Sequence, residues 1–216
     1  MENGLKLKNR VDLEIANLKE ATALIVEKHY LHRGRTMAQL PYWILLDGRR
    51  VGVLLFSLPR MSARFQGHGP MNLLELARMW VDPAVQGLTV TDRSGKEHAF
   101  SVATCAVGKA LKRCREDWSR KYPHLPAIAA VVSWADTVHH EGTIYRAANF
   151  RYVGTSGGTY HGKTLRPNGG RDQLNEDYTH VKLAFIFEYL RPAAPQPRQL
   201  KLVEGSDELQ LAAGAG

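Results

Sequence analysis

Residues 73–87 read LLELARMWVDPAVQG. The first nine are apolar save for Glu75 and Arg78, and Asp82-Pro83 ends the run. The spacing suits a helix or a strand. We read a strand over 73–81, because the segment that follows is the better helix. Over roughly 98–121, Ala99, Val102, Ala103, Ala106, Val107, Ala110, Leu111, Cys114 and Trp118 form a wide apolar stripe. Lys109, Lys112, Arg113, Glu116 and Arg120 form its wet face, and Pro123 and Pro126 lie beyond its end. Upstream, YWILLD (42–47) and VGVLLFSL (51–58) are apolar strands joined through Asp-Gly, a strong hairpin signal. Residues 11–30 read as a helix with an inward stripe of Val11, Ile15, Leu18, Thr22, Ile25 and His29. Downstream, AIAAVVSW (127–134) is a continuous apolar run, as in a strand buried on both faces. A short helix near 139–148, a strand at 150–154, a Gly-rich basic loop over 155–175 and a last strand at 181–190 complete the order. The expectation is one mixed α/β domain over residues 1–190 with a central sheet, followed by a disordered tail over 191–216.

The chain has 216 residues and a net charge of +8, with a sequence pI near 9.6. Apolar residues make up 44% of it, which excludes global disorder. No apolar run approaches the length of a membrane span, and the first ten residues lack a signal-peptide core, so neither membrane insertion nor export is expected. Cys105 and Cys114 fall on one helix about 900° of rotation apart, so they point to opposite sides and do not bridge. Both read as reduced thiols. The charge is uneven. Residues 32–66 carry six arginines against Asp47, a net +5; residues 109–121 net +4; residues 151–175 net +3; the remainder nets −4. Arginine's planar fork suits phosphate, so a polyanionic partner is expected, although a merely solvated surface accounts for the same pattern.

Two segments narrow the field. In LELARMWVDPAVQG, Val81, Pro83, Gln86 and Gly87 follow a V-x-P-x-x-Q/R-G pattern. In IYRAANFRYVG (144–154), Ile144, Tyr145, Phe150 and Gly154 follow a second one, with Asn149 at a helix end that needs a left-handed residue. Together these resemble the GNAT superfamily of N-acetyltransferases. That resemblance implies a single domain with a mixed, mostly antiparallel sheet flanked by helices. The departure is informative: after Gly87 the chain reads LTVTDRSGKEHAFS, without the glycines that let backbone N–H groups cradle a pyrophosphate. The stretches EKHYLHR (27–33), LELARMWV (74–81) and SWADTVHHEGTIYRAANFRYVGTS (133–156) are similar to the Mom family of phage DNA-modification proteins. That resemblance implies carbamoylmethylation of adenine N6 in duplex DNA, protection of phage DNA from host restriction, and a place in the host cytoplasm. It leaves the donor unknown and allows iron. The alternatives are a conventional acyl-CoA N-acetyltransferase and a non-catalytic DNA-binding, anti-restriction protein.

The candidate chemistry follows. Tyr145 stands where many GNAT enzymes place a tyrosine acid, or it is a packing residue. Asp136 follows the strand 127–134, at the sheet edge where open α/β sites collect; it is a hydrogen-bond acceptor for an amine or a helix N-cap. His29 and Tyr30 sit at a helix exit, His29 being catalytic or a satisfied core residue. Arg78 is a cation on an apolar strand and needs a partner or a substrate anion. Ser101 binds a donor oxygen or caps the long helix. His29 and His32 have ligand spacing without a third ligand, so no metal residues are assigned. Arg33, Arg35, Arg60, Arg64, Tyr160, Lys163, Arg166 and Arg171 are the expected DNA contacts, Tyr160 as a stacking group.

Overall fold

The computed structural model describes residues 9–32, 34, 39–61, 63–91, 94–156 and 181–189. The proposed tail and most of the loop 155–175 lie outside them. A seven-stranded sheet organises the chain. Its strands are β1 (Val11–Ile15), β2 (Gln39–Leu46), β3 (Arg49–Ser57), β4 (Leu73–Val81), β7 (Ala130–Asp136), β8 (Arg151–Ser156) and β9 (Lys182–Glu188). They stand in the order β1-β2-β3-β4-β7-β9-β8. Every neighbouring pair is antiparallel except β4 and β7. Strands β5 (Leu88–Thr91) and β6 (Glu97–Phe100) form a separate hairpin. The helices are α1 (Leu18–Lys28), α2 (Val102–Lys121) and α3 (Thr143–Ala147). The expected mixed, mostly antiparallel sheet with flanking helices is what forms.

Two expected helices begin later than their periodicity indicates. Residues 11–15 belong to β1, which pairs with β2 from Val11 opposite Leu46 to Ile15 opposite Tyr42. Val11 and Leu13 are buried while Ile15 is exposed, so the alternation of a strand overrides the helical stripe. The helix starts where Asn17 caps it, its Oδ1 accepting from the N–H groups of Lys19 and Glu20 at 2.9 and 3.3 Å. Likewise residues 97–100 are β6, and α2 begins only after Ser101. The insertion after Gly87 is thus a β-hairpin rather than a loop. The 46–49 turn forms as its sequence predicts: Asp47 and Gly48 both take positive φ, 52° and 76°, as a tight hairpin turn demands. Asn149 adopts φ 65° at the exit of α3.

The sheet is covered on both faces. Helix α2 lays Val102, Ala106, Val107, Ala110, Leu111 and Trp118 on one face, against Leu54, Phe56, Leu74, Leu76 and Val131. Trp118 is fully buried, and its truncation to Ala should cost roughly 3–5 kcal/mol. On the other face, Ala21 and Ile25 of α1 pack on Trp43, Val53 and Trp80. Those three are paired neighbours on β2, β3 and β4, so α1 crosses three strands and leads its exit to β4. Beside it, Met61 and Phe65 of the β3–β4 connection cover Leu73, Val132, Trp134 and Ile186. No described helix is long and apolar enough to cross a membrane.

Candidate active site

The site arises from two irregularities of the sheet. Strand β4 pairs with β7 only from Leu73–Ala130 to Glu75–Val132, although both strands run on, to Val81 and Asp136. Where the ladder stops, the Ser133 hydroxyl donates to the Leu76 carbonyl at 3.0 Å, and beyond it the strands part. The second irregularity is a bulge. Leu55 faces Arg78 and Phe56 faces Leu76, so Ala77 is an extra residue on β4. Ordinary alternation would put Glu75 and Arg78 on opposite faces; the bulge returns Arg78 to the face of Glu75. A carboxylate and a guanidinium therefore share one face of one strand, at the mouth of the gap.

Other elements bring the rest. Helix α1 delivers His29, only 7% exposed, whose charge environment includes Arg78. Burial above all, then Arg78, then His140, His139 and His32, hold the His29 imidazole at a pKa of about 3. Its Nδ1 accepts from the Leu31 N–H at 3.1 Å, which leaves Nδ1 bare and assigns the proton of the neutral ring to Nε2. His29 is thus a neutral donor at Nε2. His32 instead closes the end of α1, with a φ of 45° and its Nδ1 2.9 Å from the Val26 carbonyl. Tyr30 contacts two rings, with His29 at 4.3 Å and His139 at 4.0 Å between centroids. Tyr30 remains part-exposed, at 38%.

Tyr145 comes from the opposite face. It is buried against Phe150 and Phe185, with His140 6.0 Å away edge-on. Burial pushes its phenol up, and Glu75 adds to this; the Ser133 hydrogen bond and the Arg78 charge oppose it. The Arg78 charge acts on both His29 and Tyr145, which come from opposite faces of the sheet. His140 is pushed down, by burial first, with Asp136 opposing. Asp136, 2% exposed, ends β7; its Oδ1 accepts from the Val138 N–H at 3.2 Å. Helix α3 is instead preceded by Gly142, so Asp136 caps the turn after β7 and not that helix.

The remaining expected residues divide. Ser101 is the N-cap of α2, its Oγ accepting from the Thr104 N–H at 3.1 Å. Arg60 and Arg64 are exposed on the β3–β4 connection, the face that also carries α1, with Arg64 donating to the Gly67 carbonyl at 2.6 Å. Arg33, Arg35, Tyr160, Lys163, Arg166 and Arg171 lie outside the described residues. Several α2 cations are engaged within the chain. Arg113 bonds Asp117 at 2.7 Å and the Leu13 carbonyl at 2.8 Å, Arg120 bonds Asp117 at 3.0 Å, and Arg115 stacks on Tyr189. Among the described residues no three His, Cys, Asp or Glu side chains are placed to hold a metal ion. Glu75, Ser133 and His140 were missed by sequence reasoning. Glu75 left a signal, as an acid within an otherwise apolar strand; Ser133 left a fainter one in AIAAVVSW.

The comparisons with known proteins agree with the resemblance. The Mom protein family model matches residues 10–188. The chain belongs to the Mom family. No curated protein matches it. Among solved structures it is similar to an aminoglycoside acetyltransferase in complex with coenzyme A and kanamycin, at 12% identity and a TM-score of 0.47, over 83% of this chain and 95% of that one. It is also similar to the ribosomal-protein-S18-alanine N-acetyltransferase from Escherichia coli, at 10% identity and a TM-score of 0.45, over 87% and 99%. A third is an acetyltransferase from Salmonella typhimurium that modifies the N-terminal serine of ribosomal protein L7/L12, at 13% identity and a TM-score of 0.45, over 83% and 95%. In this Mom-family chain the β5–β6 hairpin separates Gly87 from α2.

Proposed function

We propose that this Mom-family protein is a GNAT-like transferase that places a carbamoylmethyl-type group on adenine N6 of phage DNA and so protects that DNA from host restriction. The observation that carries the reading is the break between β4 and β7, lined by Glu75, Arg78, Ser133 and Tyr145, in a chain of this family. Adenine N6 is a weak nucleophile because its lone pair is delocalised into the ring. Its attack on an electrophilic carbon needs a group to take the departing N–H proton, and Glu75 is the carboxylate at the gap. Tyr145, kept protonated by burial, supplies a proton to the leaving group, and Arg78 steadies negative charge that develops there. His29, neutral and protonated at Nε2, holds an acceptor atom without competing for the proton. Asp136 and Tyr30 shape the mouth. The exposed Arg60 and Arg64 suit backbone phosphates on the face that carries α1.

Mass spectrometry of nucleosides from DNA co-expressed with the protein tests the reading. A modified deoxyadenosine is expected, and it should vanish with Tyr145→Phe or Glu75→Gln. Unmodified deoxyadenosine despite good soluble expression would overturn the reading. Salt-dependent DNA binding without any altered nucleoside would point to the non-catalytic alternative.

A further inference from the structure

The turn from Asp136 to His140 straddles the mouth of the gap. On one side His139 stacks on Tyr30 at 4.0 Å; on the other His140 meets Tyr145 at 6.0 Å. Val138 precedes the two histidines in the same turn. At 62% it is the most exposed large apolar side chain among the described residues. A single exposed valine is ordinary in itself. What distinguishes this one is its place and its anchoring. The Asp136 carboxylate accepts from the Val138 N–H at 3.2 Å, and the Asp136 carbonyl accepts from both His139 and His140 at 2.9 Å. The Thr137 N–H and hydroxyl both donate to the Val181 carbonyl, at 3.1 and 2.8 Å, tying the turn to the start of β9. A buried carboxylate thus fixes the backbone of a short, stiff, exposed apolar branch, one residue before the histidines that contact Tyr30 and Tyr145.

We infer that Val138 is the wedge that enters the base stack when the target base leaves the duplex. The inference rests on the DNA reading above. A stacked adenine cannot present its N6 to a site as buried as Glu75 and Tyr145, so the base has to swing out. Its departure opens an apolar gap between the neighbouring bases. A small apolar side chain at the pocket mouth fills that gap and delays the return of the base. The occupant of this surface is therefore the base stack of duplex DNA, whose phosphates match the cationic Arg60 and Arg64 on the α1 face. Asp136 acts here as a positioning residue, through the backbone of Val138.

The test uses the full chain and duplexes in which single adenines, in varied sequence, are replaced by the fluorescent analogue 2-aminopurine, whose emission is quenched by stacking. Saturating wild-type protein should raise the emission in at least one duplex, and Val138→Leu should do the same. Val138→Ser should bind that duplex with affinity within about twofold, since backbone phosphates dominate binding, yet give a much smaller rise. Because the side chain is exposed, Val138→Ser should melt within a few degrees of the wild type, and Val138→Leu guards against a merely local defect. A wild-type rise from Val138→Ser overturns the proposal, as does a wild type that binds no duplex or gives no rise while bound. Nucleoside analysis of co-expressed DNA separates the two readings. A Val138-dependent rise with unmodified nucleosides keeps the wedge and removes adenine transfer. Modified nucleosides with no Val138 dependence keep transfer and remove the wedge.

Discussion

Replacing His29 by Gln should make the protein measurably more tolerant of acid. The ordinary histidine pKa is 6.5, and the folded protein holds His29 at about 3, chiefly by burial and then by the Arg78 charge. Between those values the unfolded chain binds a proton that the native chain refuses. Stability therefore rises with pH across that window, and it is lost as the pH falls below 6.5 toward 3. At pH 5 the loss from this one group is about 2 kcal/mol, from 1.5 pH units below the ordinary value at roughly 1.36 kcal/mol each. That figure depends on the unfolded value alone, provided the native pKa lies well below 5. Urea unfolding at pH 7.5 and pH 5.0 measures it. Wild type should lose about 2 kcal/mol more than His29→Gln between the two conditions. His140, also pushed down by burial, is present in both proteins and cancels in the difference. Equal losses in the two proteins would refute the burial of a neutral His29 and, with it, its role as a neutral donor.

Other substitutions test the remaining links. Glu75→Gln keeps the shape of the site but removes the proton acceptor, so adenine modification should fall about 100-fold or more, with little change in melting temperature. Gly142 has φ 75°, and a Cβ there would stand 2.5 Å from the Phe185 ring; Gly142→Ala should destabilise by roughly 2–4 kcal/mol in denaturant titration. Asp117 is 5% exposed and accepts from Tyr42 at 2.7 Å as well as from Arg113 and Arg120. Asp117→Ala leaves the buried Tyr42 hydroxyl without its acceptor and should cost about 1–3 kcal/mol, read as a drop in urea midpoint, while nucleoside modification persists in whatever protein stays folded.

Several elements were legible because their signals are local. Asp47-Gly48 marks its hairpin through two positive φ values, Asn149 marks a helix exit, and the long stripe of α2 needs a core to cover it. The first strand was not legible. Val11 and Ile15 fit a helix face, Val11 and Leu13 fit a strand face, and only pairing with β2 decides between them. The β5–β6 hairpin escaped for the same reason, since its short strands carry little hydrophobic signal and gain their definition from each other.

The site divides along the same line. Sequence alone determined that an acid and a cation stand on one apolar strand, that a tyrosine and an aspartate follow the buried strand downstream, and that two histidines and a tyrosine end the first helix. It also established the excess of arginine and a sequence after Gly87 without a glycine-rich turn. Only the tertiary structure decided how these groups are placed relative to one another. Alternation along a strand would have parted Glu75 from Arg78; one extra residue, Ala77, joins them, and a bulge is defined by a partner strand rather than by its own letters. The gap that makes the site exists because β4 and β7 stop pairing after three residues, and α1 reaches it because Trp43, Val53 and Trp80 line up across three strands. Chemistry-bearing residues are written locally, but their convergence is a property of long-range pairing and packing, which no stretch of the chain contains on its own.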